Sequence, residues 1–261
     1  MNHGPFFSVI TAAYNSSATI GDTLASLLSQ DFTDFEYIIV DGASKDTTVD
    51  IVKKYVPLFE SKGIRLRWIS EPDRGIYDAW NKGVRLAEGR WISFIGSDDT
   101  YVAGALHRYK QMIDESDAAV NYISSRVEVI DHQKKTLRVF GSKYDWRRVV
   151  ADYDVAQVGS FHRKTLFEEV GPFSEAYRIA GDLQFYIRCR DVIRPSFFPE
   201  ITARMLDGGV SNQPYPALRE GLRVKLDTRA THPLDAYFHF YLSLTKCYVK
   251  MALRKLVGIR A

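Results

Sequence analysis

The sequence predicts an α/β fold in which helices flank a mostly parallel central sheet. In the first hundred residues, short runs rich in Ile, Val and aromatic residues alternate with segments whose apolar residues recur at helical spacing. This alternation is typical of a parallel sheet with helices on its faces. The 261 residues, of which 46% are hydrophobic and 26% charged, are enough for one domain with a sizeable core.

The first half contains four predicted strands and three predicted helices. The strands are Phe7–Thr11, Tyr37–Asp41, Leu66–Ser70 and Trp91–Ile95, and the helices are Thr19–Gln30, Thr47–Phe59 and Ile76–Ala87. Polar or glycine-containing residues follow each strand. Because ligands of open α/β sheets bind beyond the carboxyl ends of the strands, these four ends are the expected binding site.

The second half has a less regular pattern and predicts a more mixed sheet. Helices are predicted at Tyr101–Asp114, Phe161–Val170 and Asp182–Arg190, and strands at Val120–Ser124, Glu128–Ile130, Leu137–Phe140 and Ser196–Met205. A glycine-rich loop at Asp207–Asn212, a linker at 213–216 and a helical tail complete the chain. We therefore expect one domain over residues 1–212, with halves 1–100 and 101–212, and a helical extension over 213–261.

Charge and cysteine content argue against several classes of protein. The net charge of +3 is too small to indicate nucleic-acid binding. It is unevenly distributed, because the segment from Ala236 onward has five basic residues and no acidic ones, a pattern that suits anionic membranes. The distant Cys189 and Cys247 favour reduced thiols in a cytoplasmic protein. Neither a signal peptide nor a membrane-spanning helix is expected.

Acidic residues follow three of the four strands at one predicted edge of the sheet. They are Asp41, Asp73 and the adjacent pair Asp98 and Asp99. The turn after the first strand has no glycine, which argues against a dinucleotide-binding fingerprint and against a P-loop. A bound phosphate would then need another source of positive charge, which adjacent carboxylates can supply by binding Mg²⁺ or Mn²⁺.

Four motifs resemble those of family 2 glycosyltransferases of the GT-A fold, in particular bacterial members that build cell-surface polysaccharides. They are VITAAYN at 9–15, VDGASKDTT at 40–48, EPDRGIYDAWNKG at 71–83 and GSDD at 96–99. The resemblance extends over residues 6–212 and implies a nucleotide-binding half followed by an acceptor half. It implies inverting transfer of a hexose or N-acetylhexosamine, with a UDP-sugar as the favoured donor. The implied acceptor is a hydroxyl of a glycan or of a lipid-linked oligosaccharide.

The resemblance also implies roles for individual residues at the donor site. Those expected to contact the nucleotide-sugar are Thr11, Ala13, Tyr14, Asn15, Asp41, Asp73, Arg74 and Asp98. Asp41 is expected to accept a hydrogen bond from the uracil imide. Within the variant DXD motif 97–99, Asp99 is expected to bind Mn²⁺ or Mg²⁺ directly. Taken alone, an acidic strand end is usually a turn or a cap, and Arg74 could equally be a solvated surface residue.

The segment around Asp182 resembles the place where family members have their catalytic base. An aspartate that opens a helix is ordinarily an N-cap, so the role of Asp182 depends on the resemblance. Gly181 stands where relatives more often have Glu. The resemblance implies that Asp182 takes a proton from the acceptor hydroxyl while the nucleoside diphosphate leaves from the opposite face of the sugar. It also places Gln157 and the loop 207–211 near the acceptor.

The helical tail leaves three arrangements open. Lys246, Lys250 and Arg254 recur every four residues beside abundant apolar side chains, which suits peripheral binding to the inner face of the plasma membrane. The same helix could instead pack on the catalytic domain or on a second subunit of a homo-oligomer.

Other functions fit the sequence less well. A sugar-nucleotide pyrophosphorylase would need an early glycine-rich loop, and an NAD-dependent oxidoreductase would need a glycine turn after the first strand. A non-catalytic nucleotide-sugar-binding or scaffold protein of a polysaccharide assembly complex could keep the donor motifs, and Asp182 argues against it. The sequence does not identify the sugar or the acceptor, because one fold supports many choices.

Overall fold

A computed structural model describes residues 4–208 and 214–256 of the chain. Its first half contains β1 (Phe7–Ala13), α1 (Ile20–Leu28), β2 (Phe35–Asp41), α2 (Thr48–Ser61), β3 (Arg65–Ser70), α3 (Ile76–Leu86) and β4 (Trp91–Phe94). The four strands are parallel and lie side by side in the order β3-β2-β1-β4. The seven elements predicted for this half are confirmed, with ends that differ by one or two residues.

The second half adds a mixed region to the same sheet. Its elements are β5 (Thr100–Tyr101), α4 (Ala105–Glu115), β6 (Tyr122–Ile130), β7 (Thr136–Phe140), α5 (Trp146–Asp152), β8 (Ser160–Arg163), α6 (Lys164–Val170), α7 (Gly181–Arg188), β9 (Pro195–Leu206), α8 (Pro214–Asp227) and α9 (Pro233–Leu256). The strand order continues from β4 through β8, β6 and β9 to β5, and β7 pairs with β6. Strand β8 runs antiparallel to both β4 and β6, and β9 runs parallel to β6.

Several predictions for the second half were wrong. The expected helix Phe161–Val170 begins with β8, because its first residues are buried between β4 and β6, and a short apolar run does not distinguish strand from helix. Tyr101 likewise belongs to β5. The two strands expected at 120–130 form the single strand β6, with register shifts on either side of Arg126. Helix α5 was missed.

The expected linker at 213–216 is also revised. Pro214 and Pro216 lie in the first turn of α8, where proline is tolerated because the first amides of a helix have no intrahelical acceptor. Of the expected loop 207–212, residues 209–212 lie outside the described part of the chain, as does residue 213.

Apolar clusters on both faces hold the central strands in place. Alternate residues of β1 point to opposite faces, so Val9 belongs to the cluster under α1 and α2 and Ile10 to the cluster under α3 and α7. Both side chains are fully buried, as parallel strands covered on two faces require. Helix α8 joins the second cluster through the fully buried Val224. None of the described helices combines the length and apolarity needed to cross a membrane.

Helix α3 packs against β1 at a position where no side chain fits. A Cβ added to Gly83 would fall inside van der Waals contact of the buried, β-branched Ile10. Because Ile10 has no room to move, we expect Gly83→Ala to lower the free energy of unfolding by about 1–3 kcal/mol in urea denaturation.

The matched control for Gly83→Ala is Gly21→Ala in α1, where an added Cβ meets nothing within 4 Å. That variant is expected to gain about 0.5–1 kcal/mol, because alanine loses less backbone entropy than glycine in a helix. Equal effects of the two substitutions would contradict the packing of α3 on β1.

Candidate active site

The carboxyl ends of the four parallel strands meet at one edge, as the sequence predicts. In the strand register Ala13 is level with Asp41, which is level with Ser70. Side chains tie the loops at this edge together. Ser16 Oγ lies 2.8 Å from Ser97 Oγ, joining the loop after β1 to the loop after β4. The Asn15 backbone amide donates to Ser44 Oγ at 2.8 Å, which joins β1 to the loop after β2.

The residues at the end of β1 and just after it divide into buried and exposed groups. Thr11 is fully buried, and its hydroxyl contacts the Tyr37 hydroxyl and the Ile95 carbonyl, each at 2.9 Å. These bonds link β1 to β2 and to the end of β4, and a contact of Thr11 with the nucleotide stays a prediction. Tyr14 is 63% exposed, so its ring is available to a ligand. Ala13 is buried at the end of β1.

Asp41 lies at the end of β2, and the next residue, Gly42, leaves room for Asp73 and Tyr14. Asp41 is buried and accepts hydrogen bonds from the Ser44 backbone amide at 3.0 Å, from Ser70 Oγ at 2.6 Å and from Ser44 Oγ. A carboxylate accepts about four hydrogen bonds, so Asp41 can receive one more donor. A Cβ on Gly42 would lie 2.5 Å from Asp73 Oδ2 and 3.3 Å from the Tyr14 ring. Gly42 therefore brings Tyr14 and Asp73 together.

Arg74 is 76% exposed at the side chain and forms ion pairs. Its guanidinium contacts Glu175, and its Nε lies 3.8 Å from Asp78 Oδ2. A contact of Arg74 with a donor phosphate stays a prediction.

Asp98 and Asp99 converge on the space above Gly96. A Cβ added to Gly96 would lie 2.7 Å from both Asp98 Oδ1 and Asp99 Oδ2. The other oxygen of Asp99 accepts from the Leu206 backbone amide at 3.2 Å. Burial, reinforced by the Asp98 carboxylate, raises the pKa of Asp99 to about 8, and burial raises the pKa of Asp98 as well.

This carboxylate pair suits a divalent cation in its chemistry. A cation would relieve the repulsion between two partly desolvated carboxylates, and Mg²⁺ and Mn²⁺ prefer such oxygen ligands. Within residues 4–208 and 214–256, no group of three or more His, Cys, Asp or Glu side chains could hold a metal ion. Water and the oxygens of a bound diphosphate are further ligands that such a cation commonly takes.

Asp182 is half-buried and lies among hydroxyl donors. Its Oδ2 accepts from the Tyr153 hydroxyl at 2.6 Å, and its Oδ1 contacts the Tyr77 hydroxyl at 3.1 Å and the Leu183 amide at 2.8 Å. Burial raises the pKa of Asp182 above its ordinary value, while the donors from Tyr153, Leu183 and Tyr77 act in the opposite direction. The carboxyl can therefore accept a proton readily and remain hydrogen-bonded in either state.

Tyr77 joins Asp182 to the donor side of the site. Its hydroxyl also contacts the Ile179 carbonyl at 2.7 Å, so its single proton serves one of two acceptors. Tyr77 is the second residue of α3, which begins directly after the loop that holds Asp73 and Arg74. Residue 181 is a glycine, where the resemblance leads us to expect a glutamate. The packing explains this, because a Cβ at position 181 would lie 2.7 Å from the Tyr77 ring. A glutamate at that position would displace the ring.

The tyrosines around Asp182 could not be predicted from the sequence. Tyr77 lies within the motif at 71–83, but nothing in that motif indicates a contact with Asp182. Tyr153 has a left-handed backbone with φ of 38° at the end of the unpredicted α5, and no local pattern marks it. Tyr186 donates to Gln157 Oε1 at 2.6 Å beside a His162 whose pKa burial lowers to about 4. These contacts join residues far apart in the chain.

The parallel strand ends, the carboxylate pair and the half-buried Asp182 are together typical of a glycosyltransferase of the GT-A fold. Residues 8–170 match the family model described as Glycosyl transferase family 2. The chain belongs to this family and is a glycosyltransferase family 2 enzyme. The matched segment ends before Asp182, so the family match does not cover that residue.

Named relatives and solved structures agree with this assignment. A PGL/p-HBAD biosynthesis glycosyltransferase of Mycobacterium bovis is 34% identical over 186 residues, which is 71% of this chain and 70% of the relative. The putative teichuronic acid biosynthesis glycosyltransferase TuaG of Bacillus subtilis is 35% identical over 121 residues, covering 46% of this chain and 47% of its own.

Two solved structures support the fold. S. aureus TarS 1-349 in complex with UDP-GlcNAc matches with a TM-score of 0.67 and 21% identity over 91% of this chain and 71% of that chain. The mannosyltransferase PcManGT from Pyrobaculum calidifontis in complex with GDP-Man and Mn²⁺ matches with a TM-score of 0.68 and 17% identity over 100% of this chain and 77% of that chain. At these identities the likeness establishes the GT-A fold alone.

The raised pKa of Asp182 predicts how stability depends on pH. A raised folded-state pKa contributes stability that is fully present below the unfolded value of about 3.9 and is lost as pH rises through the folded pKa. Asp182→Asn stays neutral at every pH. We therefore expect it to unfold at a higher temperature than the unmodified protein at pH 8, by a margin that shrinks as pH falls.

Thermal unfolding between about pH 3 and pH 8.5, a range that begins below the unfolded pKa, would measure this margin. Asp31→Asn, at an exposed position, is the matched control. A margin for Asp182→Asn that stays constant across the range would contradict the desolvation of Asp182.

Proposed function

We propose that this enzyme is an inverting, metal-dependent glycosyltransferase that uses a nucleotide-sugar donor, with a UDP-hexose or UDP-N-acetylhexosamine favoured. The observation that carries the proposal is the pairing of two distinct acidic sites. Two carboxylates converge above Gly96, and a single half-buried carboxylate, Asp182, accepts from two tyrosine hydroxyls beside the loop that holds Asp73. The first arrangement suits a cation with a diphosphate, and the second suits proton transfer.

The donor is proposed to bind along the strand ends. The exposed Tyr14 offers an aromatic face to the base, and Asp41 offers its remaining acceptor position to the imide N–H of uracil. Asn15 and Asp73 border the same edge and are proposed to contact the ribose. Support for a UDP-sugar comes from the TarS structure that holds UDP-GlcNAc. The PcManGT structure holds GDP-Man, so guanosine donors belong in any screen.

The metal is proposed to be Mn²⁺ or Mg²⁺, held by Asp99 with help from Asp98. When bound, such an ion supplies Lewis-acid stabilisation of the charge that grows on the departing diphosphate. Asp99 is fixed for this role by the Leu206 amide and by the Thr23 hydroxyl, which donates to the Asp99 carbonyl at 2.8 Å. Support comes from the high pKa of Asp99 and from the Mn²⁺ in the PcManGT structure.

Asp182 is proposed to be the general base. It takes the proton of an acceptor hydroxyl while the oxygen forms a bond to C1 of the sugar and the bond from C1 to the diphosphate oxygen breaks. Attack from the face opposite the leaving group converts an α-linked donor into a β-linked product. Burial raises the pKa of Asp182 towards working pH, which makes the carboxylate a stronger base.

The acceptor is proposed to be a glycan or lipid-linked oligosaccharide used in cell-surface polysaccharide or glycolipid synthesis. The names of the relatives from Mycobacterium bovis and Bacillus subtilis support this class of product. Gln157 is a candidate acceptor contact, because its Nε2 is buried and has no hydrogen-bond partner among the described residues.

Helix α9 is proposed to lie on an anionic bilayer surface. It exposes large apolar and aromatic side chains at spacings of three, four and seven residues, which place them along one side of the helix. They are Leu234, Tyr237, Phe238, Tyr241, Leu242, Tyr248 and Val249. The segment from Ala236 onward has basic residues and no acidic ones. An apolar stripe beside excess positive charge suits an interfacial helix better than a solvated one.

Asp182→Asn is expected to lower turnover by at least about 10²-fold, because the amide cannot accept the proton. A panel of UDP-, GDP- and dTDP-sugars, assayed for release of nucleoside diphosphate, would identify the donor and measure the loss. UDP affinity should stay within twofold, and Asp191→Asn, at an exposed site, should behave as the unmodified enzyme does. Retained turnover in Asp182→Asn would reject the base.

Gly96→Ala is expected to weaken Mn²⁺-dependent UDP binding by at least about 10-fold without removing any carboxylate. The added Cβ would occupy the space on which Asp98 and Asp99 converge. Isothermal titration with UDP, in the presence and absence of Mn²⁺, would measure this, with Asp99→Ala as the stronger variant. Gly21→Ala is the matched control, and binding that does not respond to Mn²⁺ in any variant would reject the cation site.

Replacing Leu234, Phe238 and Tyr241 together by serine is expected to reduce flotation of the protein with phosphatidylglycerol vesicles by at least about 10-fold. Added salt should also reduce flotation, and phosphatidylcholine vesicles should bind less protein. Undiminished flotation of the triple variant would reject the membrane contact. A change from dimer to monomer in that variant would instead show that two copies pair through α9.

A further inference from the structure

A carboxylate from helix α8 reaches the turn that leads into the helix of Asp182. Glu220 accepts hydrogen bonds from three successive backbone amides, those of Arg178 at 2.8 Å, of Ile179, and of Ala180 at 2.6 Å. A run of backbone N–H groups directed at one point is an anion-binding arrangement, and here the anion is a side chain of the protein itself. Glu220 is half-buried there.

Helix α7 has no cap of its own that could replace this contact. Ala180, at the N-cap position, has no side-chain acceptor, and Gly181 follows it. Asp182 uses one oxygen on the Leu183 amide, and both of its oxygens contact tyrosine hydroxyls. The partial positive charge at the start of α7 and in the preceding turn is therefore stabilised by a carboxylate from another helix, Glu220 of α8.

Other contacts hold α8 where Glu220 can reach the turn. Asp227 accepts from the Tyr177 hydroxyl at 2.8 Å, and the Arg223 guanidinium lies 5.0 Å from the centre of the Tyr177 ring. Val224 is fully buried in the core that also contains Leu183. Helix α8 is thus anchored independently of Glu220.

A chain of hydrogen bonds leads from Glu220 to Asp182. The amide of Ile179 donates to Glu220, and the carbonyl of the same residue accepts from the Tyr77 hydroxyl. That hydroxyl in turn contacts Asp182 Oδ1. A shift of the turn 178–180 would therefore move both the backbone before Asp182 and the tyrosine beside its carboxyl.

We infer that Glu220 is a positioning residue for Asp182, so that α8 completes the catalytic site although it lies beyond the segment that matches the family. The inference rests on the proposed role of Asp182 as the general base. In this arrangement Glu220 binds the amides of the turn 178–180, whereas Tyr77 binds the Ile179 carbonyl. Glu220 also adds negative charge close to the start of α7.

The charge of Glu220 has a consequence for the pH dependence of turnover. The titratable groups that face Asp182 are Tyr77 from α3, Tyr153 after α5 and Tyr186 from α7, none of which is charged at neutral pH. Glu220 from α8 adds a carboxylate at the turn just before Asp182, and an anion at that position opposes ionisation of Asp182. Removing it should move the acidic limb of the kcat profile to lower pH.

Glu220→Gln and Asp227→Asn form a matched pair for the test. Both replace a carboxylate of α8 by its amide, but Asp227 contacts Tyr177 and not the turn 178–180. Hydrogen–deuterium exchange on the full chain would follow the amides of 178–180, and the donor found in the nucleotide-sugar panel would give kcat, KM and the pH profile. Glu220→Asp keeps the charge with a shorter reach and serves as a second variant.

In Glu220→Gln we expect the three amides to exchange at least 10-fold faster. We also expect kcat to fall at least 10-fold, KM for the donor to stay within twofold, and the acidic limb to move to lower pH. Asp227→Asn should show none of these changes, because the amide oxygen can still accept from the Tyr177 hydroxyl and the buried Val224 still anchors α8. Glu220→Asp should show faster exchange with the acidic limb in place, which keeps the test decisive if the glutamine variant does not fold.

Two results would overturn the inference. In the first, Glu220→Gln has the same amide exchange rates and the same acidic limb of the kcat profile as Asp227→Asn. In the second, the amides of 178–180 in Glu220→Asp exchange as slowly as in the unmodified protein. The role of Asp182 and the role of Glu220 are tested by different results. Turnover retained in Asp182→Asn rejects the proposed base itself, whereas an inactive Asp182→Asn beside an unaffected Glu220→Gln rejects only the positioning role.

Discussion

Desolvation of carboxylates is the constraint on which the site depends. Burial raises the pKa of both Asp99 and Asp182, and each residue is served by a different kind of partner. Asp99 faces a second carboxylate across Gly96, so its ionised form calls for a cation. Asp182 is surrounded by neutral hydroxyls, which stabilise the carboxylate without holding it permanently ionised. The same physical effect thus yields one site suited to metal and diphosphate and another suited to a proton.

Helix α3 connects the two sites. It begins at the end of the β3 loop that holds Asp73, and its second residue, Tyr77, contacts Asp182. Further along, the Asn81 side chain exchanges two hydrogen bonds of 2.9 Å with the backbone of Phe173, ahead of the segment that leads into α7. Because Gly83 lets α3 pack directly on β1, a single helix connects the surroundings of Asp182 to the strand ends.

The sequence predicted the parts of the fold whose signals are local. Strands β1 to β4 and helices α1 to α3 have regular periodicity, Asp41 is the last residue of β2, and Asp98 lies in the loop after β4. Local patterns do not reveal residues such as Tyr153 and Glu220, because their contacts join segments far apart in the chain. The sequence pattern of β8 predicts a helix, because only its neighbours β4 and β6 determine that it is extended. The burial of Thr11 likewise follows from packing that its motif does not encode.

The stereochemistry of transfer tests the account most directly, because a single displacement assisted by Asp182 requires inversion at C1. Without an acceptor, water can attack C1 of an α-linked UDP-sugar and release free sugar and UDP, and proton NMR recorded before mutarotation distinguishes the two anomers of that sugar. The account predicts that the β-anomer forms first. Initial formation of the α-anomer would contradict it, since retention requires either two displacements or attack from the face of the leaving group.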